Sequence, residues 1–199
     1  MAISRFSNST VANGFPKYQR FWDQSSVEIN SSYESIATVT VGSGGTANIT
    51  FSSIPQTYTH LQLRGISKET NAGFGMNNCP AYFNGDTTSS NYSSHNINGN
   101  GSTAGTSGSA NSAGGSWYNA YGSNLGFAGI IFDILDYTNT NKFKTFRAFT
   151  GSDTNGSGGG IYLSSNNWRN TAAITSIRLQ TDVSFAQFSS FALYGIKGA

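Results

Sequence analysis

The stretch GFAGIIFDILDYTNTNKFKTFRAFTG, residues 126–151, decides the fold class. Residues 127–137 form the most continuously apolar run of the chain, and their β-branched and aromatic side chains favour a strand over a helix. In residues 143–150 the side chains alternate: Phe143, Thr145, Arg147 and Phe149 point one way, Lys144, Phe146, Ala148 and Thr150 the other. Thr138-Asn139-Thr140-Asn141-Lys142 between them supplies turn chemistry, since Asn tolerates the left-handed region and the hydroxyls bond local backbone. The stretch predicts a long antiparallel hairpin at the centre of a sheet, its first strand buried on both faces, with a β-sandwich assembled around it.

Outward from this hairpin the period of two persists. Ala37, Val39 and Val41 alternate with Thr38 and Thr40, and Ala47, Ile49 and Phe51 with Asn48 and Thr50; Gly42-Ser43-Gly44-Gly45 between them predicts a hairpin. Residues 59–67 read as a third strand, with Leu61 and Leu63 inward and His60, Gln62 and Arg64 outward. Residues 79–84 and 91–98 flank the turn Asn84-Gly85-Asp86. Residues 99–115, GNGSTAGTSGSANSAGG, hold no side chain large enough to bury, and predict a mobile tip or a segment ordered by a neighbouring chain. A second glycine tract precedes a short strand at 161–163. Trp168 falls in a turn-like polar segment, 166–171, and strands at 175–181 and 188–196 close the chain. About ten strands and no helix predict an all-β chain: a jelly-roll-like antiparallel β-sandwich over residues 33–199 with an extended N-terminal arm, residues 1–32.

That arm carries Phe6, Phe15, Tyr18, Phe21 and Trp22 among Arg5, Lys17 and Arg20, with no steady period, and Pro16 breaks any helix through it. It reads as an arm that docks on another protein, or as a segment that folds back as an extra edge strand or wraps its own domain. Charged residues are 10% of the 199, against roughly 25% in a typical soluble domain, and Ser, Thr, Asn and Gly make up about half. Such a surface has few long side chains to immobilise and repels its neighbours weakly, which suits a subunit of an assembly. A net charge of +2 offers no field for nucleic acid. No apolar run approaches the ~18 residues of a membrane span, and the start lacks a secretory h-region, so folding in a cytoplasm is expected. Cys79, the one cysteine, excludes an intrachain disulfide.

Motifs for catalysis or metal binding are missing from the sequence, so no catalytic residue, metal or cofactor is expected. His60 lies on the polar side of a strand. Asp133, inside an apolar run, reads as a buried carboxylate satisfied by backbone or by Arg147 across the hairpin. Asp153-Thr154-Asn155-Gly156 opens like a calcium loop but lacks the acid at its far end, and an Asx turn is the plainer reading. Trp117, Tyr118, Tyr121 and Trp168, with Asn residues near them, read either as a sugar-stacking surface or as core and interface rings.

Several phrases also carry a resemblance: YESIATVTVGSGG (33–45), ITFSSIPQTYTHLQLR (49–64), FNGDTTSSNYSSH (83–95), ILDYTNTNKFKT (134–145), NTAAITSIRL (170–179) and FSSFALYGIKG (188–198). In these the chain resembles virion structural proteins of tailed phages of marine bacteria, cyanophages in particular, and its start, MAISRFS…GFPKYQRFWD, resembles their N-terminal arms. It departs from the commoner pattern in its enlarged glycine-rich loop. The resemblance implies a capsid decoration or head-fibre subunit whose arm docks on the major capsid protein or a tail component, within a virion assembled in the bacterial host cytoplasm. A closed homotrimer would bury its aromatic surface and sheet edges. The alternative is a tail or fibre-tip module that binds host surface glycans through Trp117, Tyr118, Tyr121 and Trp168.

Overall fold

The computed structural model describes residues 32–122, 126–153 and 158–198. The chain divides into Met1–Ser31 and Ser32–Ala199. The leading arm, with Arg5, Phe6, Phe15, Lys17, Tyr18, Arg20, Phe21 and Trp22, lies outside the described residues.

The second unit is all-β. In chain order its strands are β1 (Tyr33–Thr40), β2 (Thr46–Phe51), β3 (His60–Glu69), β4 (Phe74–Phe83), β5 (Tyr92–Gly99), β6 (Ala104–Ser109), β7 (Gly115–Gly122), β8 (Ala128–Ile134), β9 (Lys144–Ser152), β10 (Gly160–Trp168), β11 (Ile177–Phe185) and β12 (Ser190–Ile196). A long run of neighbours follows the order β1-β12-β3-β8-β9-β10-β5-β6, every pair antiparallel. A short run follows β2-β11-β4-β7. The end of β3 joins the two, with Lys68 and Glu69 beside Ala120 and Tyr121 of β7 in parallel.

The core forms where the two runs meet. Phe83 of β4 packs edge-on against Phe146 of β9 and Trp168 of β10, with ring centroids 4.8 and 5.6 Å apart. Trp117 of β7 meets Phe132 of β8 at 5.7 Å and Phe191 of β12 at 6.4 Å. Each such ring, fully buried, contributes on the order of 1.5–3 kcal/mol.

The hairpin that decides the fold class is present as β8 and β9, in register from Gly129↔Gly151 to Ile134↔Phe146. Its second strand alternates as expected, with Lys144, Phe146, Ala148 and Thr150 inward. Its first strand does not have two buried faces: Ala128, Ile130, Phe132 and Ile134 are buried, whereas Gly129, Ile131 and Asp133 lie on the outer face. An uninterrupted apolar run cannot distinguish a strand covered on both sides from one whose outer row is itself apolar. Asp133 is accordingly part-exposed rather than buried, although Arg147 does face it, at 3.6 Å.

Lys144 is the unexpected inward residue. Its ammonium donates to the carbonyls of Asn139 (2.5 Å), Lys142 (3.2 Å) and Thr171 (2.9 Å), and so ties the link between β8 and β9 to the segment before β11.

Three further expectations are corrected. β1 and β2 are not a hairpin: β1 pairs with β12 and β2 with β11, one in each run. Alternation specifies a buried face but not a partner. The Gly42–Gly45 connection instead carries the chain from one run to the other, with Gly45 (φ 71°) so close to the Phe185 carbonyl that an added Cβ would lie 2.6 Å from it. The glycine-rich segment contains β6, which needs only backbone to pair with β5. Trp168 ends strand β10 rather than lying in a turn, because Asn166 and Asn167 pair with Ser94 and Ser93 of β5 as regular strand residues.

Candidate functional site

Strand register places the outward side chains of the long run in rows. One row reads Arg64 (β3), Ile131 (β8), Phe149 (β9), Leu163 (β10) and Ile97 (β5), each directly opposite the next. Directly opposed residues share a face, so this is a continuous apolar band across four strands. It is open to solvent: Phe149 keeps 50% of its surface exposed, Leu163 44% and Ile97 55%.

The adjoining row reads Ile66, Gly129, Gly151, Ile161 and Gly99. Three of its five positions lack a side chain, and a Cβ added at Gly129 would meet nothing within 4 Å. The result is a trough of about 970 Å³ running across the strands. Its floor is glycine backbone, Ile131 and Phe149 stand along one side, and Phe127, Asn100 and Asp153 lie at the strand ends.

On the other side of the apolar band lies a polar row: Tyr194, Gln62, Asp133, Arg147, Ser165 and His95. Its centre, Gln62, Asp133 and Arg147, is tied together by polar contacts. Tyr33 Oη and Arg64 Nε both donate to Gln62 Oε1 (2.6 and 2.7 Å), and Gln62 Nε2 donates to Asp133 Oδ1 (2.8 Å). Arg64 also sits 5.7 Å from the centre of the Tyr33 ring. The Arg64 charge is thus engaged on the polar side, and Asp153 stands only at the strand ends. What the trough offers an occupant is apolar surface and exposed strand backbone.

The aromatic residues singled out from the sequence are not brought together as a surface. Trp117 is 0% exposed and Trp168 1%, so neither indole presents a face to a sugar or to a second chain. Both are core rings because β7 and β10 pack on each other where the runs meet. Trp168 Nε1 donates to Asp86 Oδ2 at 2.8 Å. Tyr118 is half-buried and stacks on Tyr162, 3.7 Å between centroids. Tyr121 is half-buried with its hydroxyl over Gly75, where an added Cβ would lie 2.6 Å away. Of the two readings the sequence allows, the indoles of Trp117 and Trp168 take that of core rings. His60 also differs from a freely solvated residue: its Nδ1 accepts the Asp136 N–H at 2.9 Å. Among the described residues no cluster of three or more His, Cys, Asp or Glu could hold a metal ion.

The trough was hidden in the sequence. Phe149 stands out there as an apolar residue on the Arg147 side of its strand, but the three glycines align only once four strands are in register. No family model, curated protein or solved structure matches this chain.

Proposed function

We propose that this chain is a structural subunit of a phage particle, a capsid decoration or head-fibre protein built as a jelly-roll-like β-sandwich. It docks on its particle neighbours through its leading arm, residues 1–32, and through the outer face of the long run. The observation that carries the reading is the apolar trough. A solvent-facing sheet with a contiguous apolar band beside a glycine-floored channel, whose two remaining side chains are Ile66 and Ile161, is shaped to receive an extended apolar segment of another protein. The low-charge composition and the resemblance of its phrases to virion proteins support the same reading.

The test fills the trough from its floor. Gly129→Val adds a side chain into open space on a strand that favours β-branched residues, so the variant keeps its fold and its melting midpoint. It is then loaded onto particles that lack the subunit, alongside wild type and a chain without residues 1–32. The reading expects both altered chains to load at least about tenfold less, equivalent to roughly 1.4 kcal/mol or more. Particles that take up both chains as readily as wild type would sink it.

A further inference from the structure

The all-β unit leaves three strand edges open among its described residues, and they are not alike. β1 has a register shift between Ser35 and Ala37 and carries the Glu34–Lys197 ion pair at 2.6 Å. The pairing of β2 with β11 breaks between Gln180 and Phe185. Bulges and charges of this kind are how proteins keep an open edge from recruiting a partner. β6 has neither. It pairs without a shift from Gly99↔Ala104 to Ser94↔Ser109, and its sequence, AGTSGS, has no charge, no proline and nothing larger than Thr106.

This edge is also held in place at both ends. Asn100 Oδ1 accepts from the N–H groups of Ser102 (3.0 Å) and Thr103 (2.8 Å) and from the Thr103 hydroxyl (3.1 Å). At the far end the Arg169 guanidinium donates to the carbonyls of Ser90 (2.6 Å), Tyr92 (3.2 Å) and Ala110. A low-complexity segment is thereby ordered before any partner arrives, which removes the cost of ordering it on pairing. The phase of the ladder follows from the Asn100 N–H to Thr103 carbonyl bond, 3.2 Å. Antiparallel bonding alternates, so Gly105, Ser107 and Ser109 face β5, and Ala104, Thr106 and Gly108 turn their N–H and C=O groups to the open side.

We propose that this open side pairs with β6 of a second copy, antiparallel across a two-fold axis normal to the sheet. The occupant follows from the strand's own chemistry. A neutral strand meets its own copy without opposing like charges. Centred on Thr106, the pairing sets Ala104 opposite Gly108 of the second copy, so small side chains clear one another. A two-fold axis closes the contact at two chains, with the same patch on both. Because the axis preserves faces, the apolar bands of both copies, each running through Ile97 to Thr106, meet on one side of a continuous sheet.

The full chain in sedimentation equilibrium at high micromolar concentration tests this. Wild type is expected at the mass of two chains. Thr106→Pro removes an N–H that faces the open side and makes no bond to β5, so the variant is expected at the mass of one chain with an unchanged circular dichroism spectrum. Thr106→Lys and Thr106→Glu, each alone, place like charges across the axis and are expected as single chains; mixed, they return to two. A wild-type mass of one or three chains, a proline variant that stays paired, or a Lys and Glu mixture that stays apart would each overturn the proposal.

Discussion

Two hairpins of the long run, β8/β9 and β5/β6, solve the same problem with opposite means. β8/β9 is held by what its side chains bury: Ile130, Phe132 and Ile134 on one strand, Phe146 and Ala148 on the other, all at 2% exposure or less. On β6 nothing is buried. It is held by six residue pairs of backbone ladder, by Asn100 at its turn and by Arg169 at its far end. The difference teaches that strand formation and core formation are separable: a ladder needs only N–H and C=O groups, and the core needs only one committed face. The same sheet thus grades from a part that stabilises the unit to a part free to meet a partner.

The sharpest way to break this contrast is to truncate a ring in the first hairpin. Phe146→Ala removes a fully buried ring that packs on Phe83, and is expected to cost about 3–5 kcal/mol in urea unfolding. Ile97→Ala on the outer face of the second hairpin, where the side chain is half-exposed, should cost under about 1 kcal/mol. Equal costs would mean that the outer face of β5 is packed as tightly as the inner face that carries Tyr92.

Next in size is Lys144→Met. Burial, and then the nearby Lys142 charge, holds the Lys144 ammonium below the ordinary lysine range, yet three backbone carbonyls keep it in place. Methionine matches the length but leaves those acceptors unpaired, at a cost of about 1–3 kcal/mol. The loss should appear as faster amide exchange over residues 138–143. If the variant is as stable as wild type, the clamp is dispensable and packing alone closes the link.

A smaller effect is expected in the second hairpin. Arg169→Ala removes the donors that hold the carbonyls of Ser90 and Tyr92 and the end of β6, for about 1 kcal/mol of global stability. The informative readout is local. Amide protection over β5 and β6 should fall at least tenfold while β8 and β9 keep theirs, as expected of a unit that opens on its own. Uniform loss across the sheet would show that the hairpin is tied to the core more tightly than its burial suggests.

How much of this was legible follows from the same contrast. β8, β9, β3 and β12 could be read because a committed apolar face leaves a period of two, and Leu61, Leu63, Phe191 and Leu193 fall where alternation puts them. β6 could not, because a strand held by backbone leaves no trace in side-chain pattern. Partnering was equally hidden: nothing in residues 37–51 distinguishes a hairpin from two strands that part company at Gly42. The trough needed the register of four strands. The burial of Trp117 and Trp168 needed to be known before their chemistry could be weighed, since an aromatic residue in a polar neighbourhood reads alike at the surface and in the core.

The smallest expected effect lies where the two hairpins share β10. Trp168 ends that strand opposite Lys144 of β9 and Tyr92 of β5, and its indole is anchored by Asp86. Burial pushes the Asp86 carboxyl up, but donation from Trp168, the Thr88 N–H and Asn91 outweighs it, so the net shift is downward from the ordinary 3.8. A carboxylate whose folded pKa lies below its unfolded one adds stability that is fully present above the unfolded value and is lost as pH falls through the folded one. Asp86→Asn should therefore be less stable than wild type at pH 7, with the gap closing as pH drops below the ordinary carboxylate value of 3.8. Urea midpoints of both chains at half-unit steps would trace it. A gap that persists unchanged to the lowest pH would mean that the Asp86 oxygens act by shape alone, and that the seam between the two hairpins is set by the indole's packing rather than by its bond.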